Sequence, residues 1–121
     1  DDKNCEFAKA ANGIIGLETA FPLAVTELVE QGYLTPSQLV EKMSANPAKI
    51  LGIKKGQLTP GTCADITIAK ADEEYTIDVS KMVSKGKNIP FGGRKVKGKV
   101  LYTIVGGNVV VEDGNLVEEA K

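Results

Sequence analysis

The sequence predicts an α/β chain in two parts, helices over residues 1–51 and strands with tight turns over residues 52–121. Three observations carry that expectation. Apolar residues recur at helical spacing up to Leu51, and beyond Ala64 they alternate instead. The punctuation also changes near Leu51-Gly52, from single helix-ending glycines to Pro-Gly, Gly-Gly and Asp-Gly pairs that favour turns. At 121 residues with 42% hydrophobic content the chain has the length and composition of one ordinary folded domain.

Leu17, Leu23, Ala24, Leu28 and Val29 form a helical stripe up to Gln31, and Gly32 stands where a terminator is expected. Pro22 lacks an amide proton, so this helix should begin near it with an irregular first turn. The next helix carries a stronger start signal. Thr35 is the N-cap, Pro36 takes the first helical position, and Gln38 completes a capping box, with Leu34 and Leu39 at the staple positions. Leu39, Val40 and Met43 supply its apolar face. Asn46-Pro47 should stop it, because the residue before a proline avoids helical angles, and Ala48 to Leu51 should add one short turn.

Thr59-Pro60-Gly61-Thr62 fits a type II turn. Ala64 to Ala69 alternates as a half-buried strand would, with Ile66 and Ile68 on one face. Tyr75-Thr76-Ile77 suggests another short strand. Val100–Val105 and Val109–Val111 flank Gly106-Gly107, the most secure hairpin, and Asp113-Gly114 leads to a last strand at Leu116-Val117. Ser84 to Gly98, rich in Lys and Gly, reads as a loop. Its neighbourhood holds Lys81, Lys85, Lys87, Arg94, Lys95 and Lys97, a grouping that solvates a loop more often than it binds an anion.

Fifteen basic against sixteen acidic residues give a net charge of −1, which offers no field for nucleic acid or an anionic membrane. No apolar run approaches the roughly 20 residues that cross a bilayer, and the first residues do not resemble a signal peptide, so a cytoplasmic location is expected. Cys5 and Cys63 stand apart, without metal-binding spacing, and are expected to be buried thiols. Histidine is absent, which removes the commonest general base and metal ligand. Asp1 and Asp2 fit a solvated chain end. The one local signal for binding is Asn12 to Thr19, a glycine-bearing loop opening a helix, where unpaired amides could hold an anion; a tight packed turn explains its glycines equally well.

Gly13-Ile14-Ile15-Gly16-Leu17-Glu18-Thr19-Ala20-Phe21-Pro22-Leu23 closely resembles the segment after the last barrel strand of dihydroorotases. Ser44 to Gly52, Gly56 to Ile68 with its Ala-Asp-Ile-Thr-Ile ending, and Lys87-Asn88-Ile89-Pro90-Phe91-Gly92-Gly93 match in the same order. The Asn-Pro-Ala and Ala-Asp-Ile patterns are common to the wider amidohydrolase superfamily. The Gly-Leu-Glu-Thr segment and the Lys-Asn-x-Pro-Phe loop narrow the resemblance to dihydroorotase and its near relatives.

The resemblance implies a zinc-dependent hydrolase that reversibly closes N-carbamoyl-L-aspartate to dihydroorotate in pyrimidine biosynthesis. Residues 1–51 would be the carboxy-terminal helices of a TIM barrel, and 52–121 the carboxy-terminal strands of a small β-sandwich domain. The metal ligands that such enzymes use, a His-x-His pair, further histidines, an aspartate and a carboxylated lysine, have no counterpart in these residues. No catalytic or metal-binding residue is therefore carried over, and the segment alone is expected to be inactive. Ala11, Asn12 and Gly13 fall on the loop whose backbone binds substrate in the family, although the family pattern has proline near Ala11. A glycine there lets the main chain approach a ligand.

The implied partners are the remainder of a parent chain, a small-molecule substrate, further copies in a homo-oligomer and, in some relatives, aspartate transcarbamoylase. Apolar helix faces should be uncovered in this segment by itself. Three other readings stand beside this one: a related cyclic amidohydrolase such as a hydantoinase or allantoinase, a non-catalytic structural partner of aspartate transcarbamoylase, and a self-standing β module.

Overall fold

The structure, a computed structural model, describes residues 4–10 and 12–117. Two runs of helix lead into one antiparallel meander. Helix α1 (Ala20–Ala24) continues through a widened π turn (Val25–Val29), in which the amide of Glu30 donates to the carbonyl of Val25 at 2.9 Å. Pro22 lies in the first turn, where helical amides have no acceptor anyway, so the helix starts close to it, as expected, and does so as a regular α turn rather than an irregular one. Gly32 ends the run at φ 76°. Its own amide reaches Val29 O and that of Tyr33 reaches Leu28 O, the paired bonds of a Schellman cap.

Thr35 caps α2 (Pro36–Val40) as its sequence requires: the Gln38 amide donates to Thr35 Oγ1 at 3.2 Å, and Gln38 Oε1 accepts the Thr35 amide at 2.9 Å. The stop expected at Asn46-Pro47 does not occur. The helix widens into a π turn (Glu41–Ala45), the Asn46 amide donates five residues back to Glu41, and α3 (Asn46–Leu51) follows without a break. The wide turn accommodates Pro47, which offers no donor of its own, and it overrides the bias against helical angles at Asn46. Gly52, at φ 66°, then closes α3.

Thr59 to Thr62 forms the expected type II turn, with a 3.1 Å bond from the Thr62 amide to Thr59 O and Gly61 at φ 86°. The four strands pair in chain order, all antiparallel: β1 (Ile66–Thr76), β2 (Lys95–Val105), β3 (Asn108–Glu112) and β4 (Asn115–Leu116). Tyr75 and Thr76 do not form a separate strand. They are the far end of β1, joined to its first half across a bulge in which Lys70 faces Lys99 and Glu74 faces Lys97. Glu73, inside the bulge, is held by Lys99 at 3.0 Å. The loop expected as far as Gly98 ends earlier, because Lys95 already opposes Thr76 in β2. Val105 faces Asn108 across Gly106-Gly107, and both glycines have positive φ, as a two-residue primed turn needs.

The core is small and lies where α1 and its π turn press on β2. Val25 is 2% exposed and Val96 1%, with Pro22, Leu39, Ala48 and Ile77 also buried. Gly98 permits the approach: at φ 99°, a Cβ there would come within 3.0 Å of Val25 Cβ. Elsewhere apolar side chains stand in solvent. Ile68, on the strand face expected to be half-buried, is 46% exposed, and Leu17 reaches 98%. Both cysteines lie at the surface rather than in the core, since the segments carrying them pack against little. The accessible surface is 9138 Å², against roughly 6,300 Å² for a monomeric globular protein of this mass.

Candidate functional site

The loop singled out by its sequence, Asn12 to Thr19, is held in place from its far side by a second loop that follows the short 3-10 turn Val79–Lys81. Asn12 and Gly13 are both exposed, whereas Ala11 lies outside the described residues, as do Asp1 and Asp2. Gly13 adopts φ 64°, a conformation that side chains resist, and a Cβ there would meet no atom within 4 Å. The amides of Asn12, Gly13 and Ile14 find no acceptor among the described residues. They form a short row of backbone donors beside open space.

Three contacts run antiparallel along the two loops. At one end the Asn88 side chain donates to Gly13 O at 2.7 Å, while the Asn88 carbonyl accepts the Ile15 amide at 3.0 Å. In the middle, Gly86 lies so close that a Cβ would meet Ile15 Cγ2 at 2.8 Å. At the other end the Glu18 carboxylate accepts the amides of Val83 at 3.1 Å and Ser84 at 3.0 Å. Thr19, buried at 2% exposure, turns its hydroxyl back to Gly16 O and closes the loop onto α1. The two segments on which the resemblance rested thus touch each other. Sequence reasoning noted both motifs but assigned no role to Glu18, Gly86 or Asn88; a polar Asn within a glycine-rich loop was the available signal.

The six basic residues do not converge. Arg94 pairs with Glu27, Lys97 with Glu30 at 2.6 Å, and Lys95 with Glu74 at 3.7 Å, while Lys87 donates to Met82 O. The carboxylate of Glu30 raises the pKa of Lys97. Spent on carboxylates, Arg94, Lys95 and Lys97 tie the helical run and β1 to β2. A shallow recess of about 150 Å³ between Glu30, Glu74, Lys95 and Lys97 is lined by the same paired charges.

A third polar knot lies on the sheet's far end. Asp65 accepts the Gly106 amide at 2.8 Å, pairs with Lys55 and takes a 3.5 Å contact from Cys63 Sγ. Its pKa falls to about 2, first because Lys55 bonds to it and then because of the Gly106 amide. Asp65 in the Ala-Asp-Ile motif is thus a tie between the turn preceding β1 and the β2–β3 hairpin. Among the described residues no three His, Cys, Asp or Glu side chains gather as a metal cluster, and no helix is long and apolar enough to cross a membrane.

A loop of open amides that leads into a helical run, followed by an antiparallel meander, gives the chain an architecture that comparison makes definite: it belongs to the amidohydrolase family, whose model matches residues 3–110. Within that family its curated relatives include dihydroorotases. That of Acetivibrio thermocellus is 59% identical over 113 residues, 93% of this chain, and that of Geobacter metallireducens is 54% identical over 110 residues, 91% of this chain. The chain spans about a quarter of their length, 26% of each. Among solved structures, the L-hydantoinase (dihydropyrimidinase) of Arthrobacter aurescens superposes with a TM-score of 0.85 at 41% identity, covering 91% of this chain and 25% of that one. A Thermus sp. D-hydantoinase gives 0.85 at 30% identity, covering 93% and 25%.

Proposed function

We propose that this chain is the carboxy-terminal part of a dihydroorotase, the hydrolase that interconverts N-carbamoyl-L-aspartate and dihydroorotate. The carrying observation is the contact between the Gly-Leu-Glu-Thr loop and the Lys-Asn-x-Pro-Phe loop, since these two segments separate dihydroorotases from the wider family and here form one unit. In this reading residues 1–51 close a TIM barrel and 52–121 contribute strands to a β-sandwich.

Ala11, Asn12 and Gly13 present backbone to the substrate. For Asn12 and Gly13, amides without an acceptor among the described residues, next to a residue without a side chain, suit a carboxylate or a ring carbonyl, because an N–H aimed at an anionic oxygen is a strong bond outside bulk water. The family chemistry calls for a metal, zinc in this reading, and the residues of this chain do not fit one: histidine is absent from the sequence and no carboxylate cluster forms among the described residues. Its ligands would come from the rest of the polypeptide, together with the groups that move protons. The present chain supplies binding and orientation.

The same reading accounts for the exposed apolar surface. The curated relatives are about four times longer, and a barrel would cover Leu17, Ile50 and Leu51, which stand in solvent here. Assembly into a homo-oligomer, or with aspartate transcarbamoylase, would cover more, and a cytoplasmic location accompanies the pathway.

The test is an assay of the full-length polypeptide with dihydroorotate and with hydantoins as alternative substrates. Turnover of dihydroorotate supports the proposal. Turnover of hydantoins alone favours the second reading, a hydantoinase, which the structural likeness to the Arthrobacter aurescens enzyme supports. Loss of both with an intact fold would favour a non-catalytic partner.

A further inference from the structure

We propose that Asn88, contributed by the carboxy-terminal half, is a positioning residue that sets the conformation of the substrate loop and thereby the enzyme's affinity. The inference rests on the dihydroorotase reading and extends it to a residue outside the loop. Gly13 is the pivot. It carries a positive φ, and among the described residues no atom lies within 4 Å of where a Cβ would stand, so side-chain sterics do not fix its peptide.

What fixes it is Asn88. The side-chain amide donates to the Gly13 carbonyl at 2.7 Å and the Asn88 carbonyl receives the Ile15 amide at 3.0 Å, gripping the loop on both sides of Ile14. Pinning the carbonyl of Gly13 to one face fixes the plane of the peptide that carries the Ile14 amide, because carbonyl and following N–H share that plane and point opposite ways. The Ile14 N–H is one of the three amides without an acceptor among the described residues. Asn88 thus sets the direction of that donor from the opposite side of the peptide. The loop that carries Asn88 is in turn held against the substrate loop by the Glu18 carboxylate on Val83 and Ser84 and by the close approach of Gly86 to Ile15.

A residue that orients a binding amide, without meeting the reacting atoms, should affect ground state and transition state alike, which raises KM and leaves kcat alone. The experiment compares wild-type full-length enzyme with Asn88→Ala and Asn88→Asp. The second keeps the shape and replaces the donor with an oxygen that repels Gly13 O, and so serves if the first does not fold. Both should raise KM for dihydroorotate about tenfold, the factor that corresponds to one hydrogen bond of ~1.4 kcal/mol, with kcat within about twofold of wild type. A merely structural role would lower the amount of active enzyme and so kcat, not KM. Unchanged KM in the folded variants, or a fall in kcat alone, would overturn the inference while wild-type turnover kept the dihydroorotase reading. Absence of dihydroorotate turnover in the wild type would overturn both.

Discussion

Thr26 Oγ1 accepts the amide of Lys97 at 2.8 Å and donates to the Pro22 carbonyl at 2.8 Å, so one hydroxyl joins the helical run to the middle of the sheet. The π turn beginning at Val25 points this hydroxyl at β2, and Glu27 and Glu30 from the same turn pair with Arg94 and Lys97. The helix is therefore seated by a polar line beside the Val25–Val96 core.

Thr26→Val keeps the shape and removes both bonds, leaving the partly buried Lys97 amide without its acceptor. It should destabilise by about 1–3 kcal/mol, with Thr26→Ser close to wild type. Denaturant unfolding of the full-length protein carrying each variant checks this; equal midpoints for Val and wild type would refute it.

Gly98 tests the seating from the strand side. A methyl group there meets Val25 Cβ and Cγ2 at 3.0 Å and Phe21 Cε1 at 3.3 Å, at a backbone angle of φ 99° that disfavours side chains. Gly98→Ala should cost about 2–4 kcal/mol from overpacking and strain together. The measurement is again the shift in unfolding midpoint, and a loss below about 0.5 kcal/mol would contradict it.

Asp65 predicts a pH dependence. Its folded pKa of about 2 lies below the ordinary 3.8, so the folded state favours the charged form. The contribution is fully present above pH 3.8 and is lost as pH falls from there toward 2. The difference in thermal midpoint between wild type and Asp65→Asn should therefore shrink across that window and stay level above about pH 5. A constant difference down to pH 2 would rule out Asp65 as the titrating group.

The isolated 121-residue chain exposes Phe7, Leu17, Ile50 and Leu58. It should bind a hydrophobic dye and elute above the size of a monomer, and polypeptide supplying the rest of the parent should suppress both effects. A dye-silent monomer would show that these faces need no cover.

Much of the local structure was legible. The Thr35 capping box, the Gly32 terminator, the Thr59–Thr62 turn and the Gly106-Gly107 hairpin all depend on residues within a few positions of each other, and all form as read. Asn12 and Gly13 were picked out by the same kind of reading and lie exposed in the loop.

The misreadings share a cause. Asn46-Pro47 predicts a stop because the residue before proline resists helical angles, yet the π turn Glu41–Ala45 carries the helix on. Tyr75-Thr76-Ile77 reads locally as a short strand of its own; pairing with β2 instead joins Tyr75 and Thr76 to β1 across a bulge. The general preference of cysteine for the interior counts for nothing at Cys5 and Cys63, both of which lie at the surface.

By itself the sequence determined where helices begin and end, where the chain turns and which family pattern it carries, because those depend on φ preferences and side chains adjacent along the chain. Only the tertiary structure decided that Asn88 grips Gly13 and that Glu18 holds Val83 and Ser84, since such bonds join residues more than sixty positions apart. Hydrogen bonds between loops depend on where packing brings the chain, and no local pattern encodes that distance.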